Sequence, residues 1–222
     1  MKVLLFSDLH DSSRGLWALI DFLNKNQDIA GLVFAGDVTN MGEPVSFAEK
    51  FVNEISKFKH PLLWVPGNND FGRSYEILQN YTKSLEGRIV KLGGRAFTGV
   101  GGSPDSWSGQ YEGERSVDKK AIADSIFVSH VPPPGIITLS KFDDPLTQSV
   151  ISSDKVSGEE SRNQQKRRFS DPPLVHICGH VHWKWGVDYL GQTKIIKLAS
   201  SETGHCAIMD LENLNVEFMR LM

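Results

Sequence analysis

Residues 2–7, 30–35 and 61–65 are short apolar runs, and each is followed by a stretch whose apolar residues recur at helical spacing. Behind the first run, Leu16, Leu19, Ile20 and Leu23 share one face of a helix over 16–24. Behind the second, Phe47, Phe51 and Ile55 mark a helix over about 44–58, and behind the third, which Pro66-Gly67 stops, a helix runs over 75–81. Strand and amphipathic helix in alternation predict βα units feeding a parallel sheet.

After residue 85 the pattern changes to short strands punctuated by glycine. Runs 88–92 and 96–100 flank Gly93-Gly94 as a hairpin, and buried strands are predicted over 126–129 and 174–178. The tail, with runs at 185–189, 193–198, 206–211 and 216–221, reads as consecutive antiparallel strands joined by tight turns such as Leu190-Gly191 and Glu212-Asn213. Two sheets packed face to face with helices outside would house all these strands in one domain over 1–222. Only 132–173 breaks the pattern: it is polar, opens on Pro132-Pro133-Pro134-Gly135 and reads as a long variable loop or lid.

Composition excludes some classes without choosing among the rest. A chain of 222 residues with 40% hydrophobic and 23% charged residues is an ordinary globular protein. Its formal charge of -3 offers no global attraction to nucleic acid, which stays open as a partner only through the 132–173 segment, and none to an anionic membrane. Two cysteines, Cys178 and Cys206, are too few for a disulfide framework and read as reduced core thiols. No signal peptide is visible, since the run at 3–6 is short and Asp8 follows it closely, and no stretch approaches a bilayer span. The expected compartment is the cytoplasm.

Polar residues at the strand ends carry the chemistry. Asp8-Leu9-His10, Gly36-Asp37, Gly67-Asn68-Asn69-Asp70, His130 and Gly179-His180-Val181-His182 each follow an apolar run, at the edge of a sheet where sites collect. In extended backbone Asp8 and His10 would leave on one face, as would His180 and His182. Together the blocks supply seven oxygen and nitrogen ligands: Asp8, His10, Asp37, Asn68, His130, His180 and His182. Seven ligands suffice for two ions at roughly 3.5 to 4 Å if one carboxylate bridges them, and Asp37, alone in its block, is the candidate. Carboxylate, imidazole and amide without thiolate suit Mn²⁺, Fe²⁺, Zn²⁺, Co²⁺ or Ni²⁺, with manganese the first choice. Taken singly, Gly36-Asp37 also reads as a turn, and Gly67-Asn68-Asn69-Asp70 as a turn and helix cap.

In this order the blocks resemble the calcineurin-like metallophosphoesterase superfamily, whose pattern is Asp-x-His, Gly-Asp, Gly-Asn-His-Asp/Glu, His and Gly-His-x-His. The resemblance runs from residue 5 to residue 182 and implies a four-layer α/β/β/α sandwich of two mixed sheets. It implies one ion held by Asp8, His10, Asp37 and His182, and a second by Asp37, Asn68, His130 and His180. The chemistry implied is hydrolysis of a small phosphoester, with a metal-bridging hydroxide attacking phosphorus in line with the leaving oxygen.

One position departs from the pattern: Asn69 stands where the family has the histidine that protonates or stabilises the leaving oxygen. An amide can donate a hydrogen bond but cannot transfer a proton at neutral pH. Small members without this histidine are described as phosphodiesterases, so a phosphodiesterase is the first expectation. The alternatives are a phosphatase or nuclease of the same superfamily, or a non-catalytic metal-binding interaction module. That last reading calls for lost ligands, and none of the seven is missing. His205, after Thr203-Gly204, could reach the rim as a catalytic group, and Arg73 could face a phosphate. Lys166-Arg167-Arg168 could guide an anionic substrate, and Trp107 or Trp183 could stack on a base or aryl group. His176 reads as a core residue. Oligomeric state is not legible.

Overall fold

A computed structural model describes residues 1–102, 122–132 and 172–222. Two six-stranded mixed sheets form the body of the molecule. In the first, β1 (Lys2–Phe6), β2 (Ile29–Phe34), β3 (Leu62–Trp64) and the two-residue β4 (Lys83–Ser84) run parallel. The order is completed by β11 (His205–Asp210), antiparallel to β1, and β12 (Val216–Arg220), antiparallel to β11. In the second sheet β6 (Arg95–Val100), β7 (Ile126–Ser129), β8 (Val175–Cys178) and β10 (Thr193–Lys197) are parallel, edged by β5 (Val90–Leu92) and β9 (Gly186–Leu190), each antiparallel to its neighbour.

The continuous apolar runs are explained by burial on both faces of the first sheet. Leu4 and Phe6 of β1 join Leu32, Phe34, Leu62 and Trp64 in the core beneath the helices. Val3 and Leu5 point the other way, and with Val33, Leu63 and Val65 they meet Phe97, Ile126, Val128, Ile177 and Ile196 of the second sheet. Helices α1 (Ser13–Lys25), α2 (Val45–Ile55) and α3 (Gly72–Tyr81) cover the outer face of the first sheet. α1 buries Leu16, Leu19, Ile20 and Leu23 and starts three residues before the predicted helix because the Ser12 side chain accepts from Gly15 N–H.

One expectation about the strands needs revision. The tail is not one antiparallel run: β10 lies parallel to β8, while β11 crosses to the first sheet and pairs with β1. That choice is set by burial of Ala207 and Met209 against the inter-sheet core, which the alternation within the tail does not encode. The polar segment 132–173 falls outside the described residues apart from residues 132, 172 and 173, as do Trp107 and Lys166-Arg167-Arg168. Among the described residues no helix is long and apolar enough to cross a membrane.

Candidate metal centre

All five polar blocks meet at the carboxyl ends of β1, β2, β3, β7 and β8. The first two are zipped together by backbone hydrogen bonds: Asp8 N–H to Gly36 O at 2.8 Å and Leu9 N–H to Asp37 O at 2.8 Å. The local geometry is not the extended one expected. Asp8, His10, Asp37 and His180 have φ of 57°, 46°, 62° and 69°, so the side chains leave from tight turns in the left-handed region. Such conformations cost energy and persist because the surroundings fix them. Here Ser200 Oγ and Glu202 N–H both donate to the Asp8 carbonyl, and His180 N–H donates to Asp8 Oδ2. Gly179 permits this approach, since a Cβ there would stand 2.6 Å from Asp8 Oδ2.

The structure brings the seven side chains into one cluster. His10 Nε2 and His182 Nε2 face each other at 3.0 Å, with Asp8 Oδ1 at 3.7 Å from the first and 3.4 Å from the second. His130 Nε2 lies 2.9 Å from Asn68 Oδ1, 3.1 Å from His180 Nδ1 and 3.3 Å from Asp37 Oδ2. Asp37 Oδ2 is also 3.6 Å from His10 Nε2, which puts this carboxylate between the two groups. Ligand atoms of Asp8, His10 and His182, and of Asp8, Asp37 and His130, lie within 4.8 Å of one another.

Neighbouring groups fix which ring nitrogens present lone pairs. His130 Nδ1 lies 2.7 Å from the Ala35 carbonyl and therefore carries the hydrogen, which turns a bare Nε2 toward Asn68 and Asp37 in the neutral ring. His10 Nδ1 donates to Asn40 Oδ1 at 2.9 Å, and the Asn40 amide is oriented by its own donation to Asp11 and to the His10 carbonyl. Lone pairs thus face lone pairs in a buried space, and Asp8 Oδ1 is buried without any hydrogen-bond donor. Protons or cations relieve such an arrangement.

The titration behaviour of the metal-free cluster agrees. Burial opposes charge on His130, but Asp37 outweighs it and pushes the ring up to about 10. Burial would raise Asp8, yet contacts with His10 and His182 hold it well below the usual carboxylate range. Asp37 is lowered too, burial again being overcome, here by the charge of His130. Burial, with the neighbouring His130 charge, drops His180 to about 4. An oxygen and nitrogen donor set of this kind, without sulfur, fits divalent transition-metal ions.

Other candidates lie differently. Asn69 is wholly engaged by its surroundings: its Nδ2 and backbone N–H each donate to Asp37 at 2.8 Å, and its Oδ1 accepts from Met41 N–H. His205 opens β11, where Nδ1 pairs with Thr203 Oγ1 at 2.9 Å and the ring stacks 4.9 Å from Trp185; none of its described contacts reaches the seven. Arg73 is exposed in the first turn of α3. Asp70 does not cap α3, whose N-cap is Phe71. Its buried carboxylate instead accepts from Asp37, Val38 and Gly67 N–H at 2.7, 2.8 and 2.9 Å, tying the second block to the third. Asn40 and Asp70 are the functional neighbours that sequence reasoning missed. The signal for Asn40 is slight, a single amide three residues after Asp37, whereas Asp70 stood inside a block already singled out.

Two mixed sheets carrying a buried carboxylate–imidazole cluster at their shared rim define a site of the metallohydrolase type. A family model described as calcineurin-like phosphoesterase matches residues 1–184, and the chain belongs to that family. Membership implies a phosphoric ester hydrolase. Among solved structures, the chain resembles TT1561 of Thermus thermophilus, with a TM-score of 0.66 at 14% identity over 100% of this chain and 99% of that one. It also resembles a dimetal phosphatase from Danio rerio, with a TM-score of 0.55 at 12% identity, over 100% and 99% of the two chains. The third is Yfce, a phosphoesterase from E. coli, with a TM-score of 0.50 at 14% identity and full coverage of both. At such identities the likeness concerns the fold. No curated protein matches the chain.

Proposed function

We propose that this protein hydrolyses small phosphodiesters with two divalent metal ions, manganese being the first choice. The observation that carries the reading is the convergence of His130 Nε2 with the Asn68 and Asp37 oxygens on one buried space, beside the donorless Asp8 Oδ1. Asp8, His10 and His182 with Asp37 would hold one ion, and Asn68, His130 and His180 with Asp37 the other, so that residues from both sheets act as one unit over 1–222. When bound, such ions supply Lewis acidity that activates water and neutralises charge on phosphoryl oxygens.

The chain's own residues do the positioning. Ala35 O and Asn40 Oδ1 hold the tautomers of His130 and His10 so that Nε2 faces inward. Asn69 grips Asp37 with two hydrogen bonds and orients the shared carboxylate. Because its amide has no proton to transfer, the reading favours esters whose leaving group departs without one.

The test is turnover of metal-reconstituted protein on a panel of phosphomonoesters and phosphodiesters, with Asp37→Ala as control. Metal-dependent diester hydrolysis that vanishes in the control is expected. Monoester hydrolysis alone would replace the diesterase reading by a phosphatase, and no metal-dependent turnover on any ester would leave an interaction module.

A further inference from the structure

Beyond the cluster, the described surface has one run of exposed apolar side chains that begins at a proposed ligand. From residue 183 onward the chain alternates: Lys184 is buried, while Trp183, Trp185, Val187 and Tyr189 are 54%, 49%, 39% and 62% exposed. Single exposed apolar residues need no explanation, but a contiguous run with two tryptophans does.

Its position relates it to the site. Asp8 and His130 are fully buried, whereas the His182 side chain is 39% exposed, so the cluster opens to solvent on the His182 side. Trp183 follows His182 directly, with the two rings edge to face at 6.5 Å. Trp185 is steadied by its contact with the His205 ring. The backbone closes the group, since Ser200 N–H donates to the His182 carbonyl and His205 N–H to the Ser200 carbonyl. An exposed indole therefore stands beside the His182 edge of the cluster, where the cluster opens to solvent.

We propose that Trp183, set edge to face against His182, is a stacking subsite for a planar aromatic group carried by the substrate, whether an aryl ring or a nucleobase. The proposal rests on the phosphoesterase reading above. An aromatic face beside the mouth contributes binding through stacking, which is sequence-tolerant for bases and equally available to aryl groups. It also meets the chemistry of Asn69, since phenol-like leaving groups are those that depart most readily without a proton.

Binding of phenylphosphonate and methylphosphonate to the metal-loaded protein, measured by calorimetry, tests the subsite without relying on turnover. Wild type is expected to prefer phenylphosphonate by roughly five- to tenfold, Trp183→Ala to lose that preference, and Trp183→Phe to keep most of it. Equal binding of the two by wild type, or a preference that survives Trp183→Ala, overturns the subsite while leaving the hydrolase reading intact if the ester panel is turned over. Failure of both phosphonates to bind, together with no turnover, overturns both. Sedimentation of wild type and Trp183→Ala covers the other use of such a surface: a dimer that the substitution converts to monomer would make the run an interface between copies and overturn the subsite.

Discussion

Asp70→Asn removes one oxygen from the carboxylate that ties the Gly36-Asp37 loop to the Gly67-Asn68 loop. In the native arrangement Oδ2 accepts from Asp37 and Gly67 N–H, and Oδ1 accepts from Val38 N–H with Thr39 N–H at 3.5 Å. An asparagine has an amino group at one of those two ends, and either orientation points it at a backbone donor. The less damaging choice keeps the pair at Oδ2 and orphans Val38 N–H, leaving the new amino group unsatisfied as well. Each buried unsatisfied group costs about 1–3 kcal/mol, and removing a buried charge beside Asp37 offsets part of that cost, so the net loss at a pH where the native carboxyl is ionised is about 1–2 kcal/mol.

Urea unfolding of the metal-free protein measures this loss. It is best done near about pH 8, because burial and the charge of Asp37 push Asp70 up to about 6 and the native carboxylate must be ionised for the comparison. Calorimetric titration with Mn²⁺ adds a second readout. Asp37 N–H is one of the released donors, so the shared carboxylate loses its fixed position and affinity should fall roughly 10- to 100-fold. A stability loss below about 0.5 kcal/mol with unchanged metal affinity would refute the assignment of Asp70 as the tie between the loops, because surface-like tolerance is incompatible with three buried acceptor bonds.

Asn69→His should raise turnover of alkyl esters relative to nitrophenyl esters by roughly tenfold or more without changing metal content, since a histidine restores a transferable proton; an unchanged or lower ratio would sink the leaving-group reading. His176 gives a pH test: burial drops its ring to about 3, below the unfolded value of 6.5, so its contribution is present above 6.5 and is lost as pH falls. By about pH 5 that loss amounts to roughly 2 kcal/mol, and unfolding curves of chelator-treated wild type and His176→Asn should converge by this amount between about pH 7 and 5; parallel curves would contradict it.

What was legible in the sequence follows from what the fold demands locally. Val3 to Phe6, Leu32 to Ala35 and Leu62 to Val65 lie buried on both faces, so each strand shows as an unbroken apolar run and the polar residue ending it stands out. Local conformation was not legible. Nothing in Asp8-Leu9-His10 distinguishes an extended Asp-x-His from the left-handed turn at φ values of 57° and 46°, because the turn is imposed by partners far along the chain. The same holds for β4, whose two residues are strand only through pairing with Leu63 and Trp64, and for Asn40, whose role depends on where His10 happens to point.

Those distant partners bear on where the site ends. The family model stops at residue 184, and every proposed ligand precedes it, yet the first block is held from beyond that limit. Ser7 N–H donates to Ser201 Oγ, Ser201 N–H to the Ser7 carbonyl, and Ser200 Oγ and Glu202 N–H to the Asp8 carbonyl. The turn Ser201–Thr203 reaches this position because β11 inserts antiparallel beside β1, a pairing that also buries Ala207 and Met209 between the sheets. Residues outside the proposed ligand set therefore fix the conformation of two within it, Asp8 directly and His180 through its N–H on Asp8 Oδ2. A motif records which atoms would face the ions; the placement of those atoms belongs to the whole pair of sheets.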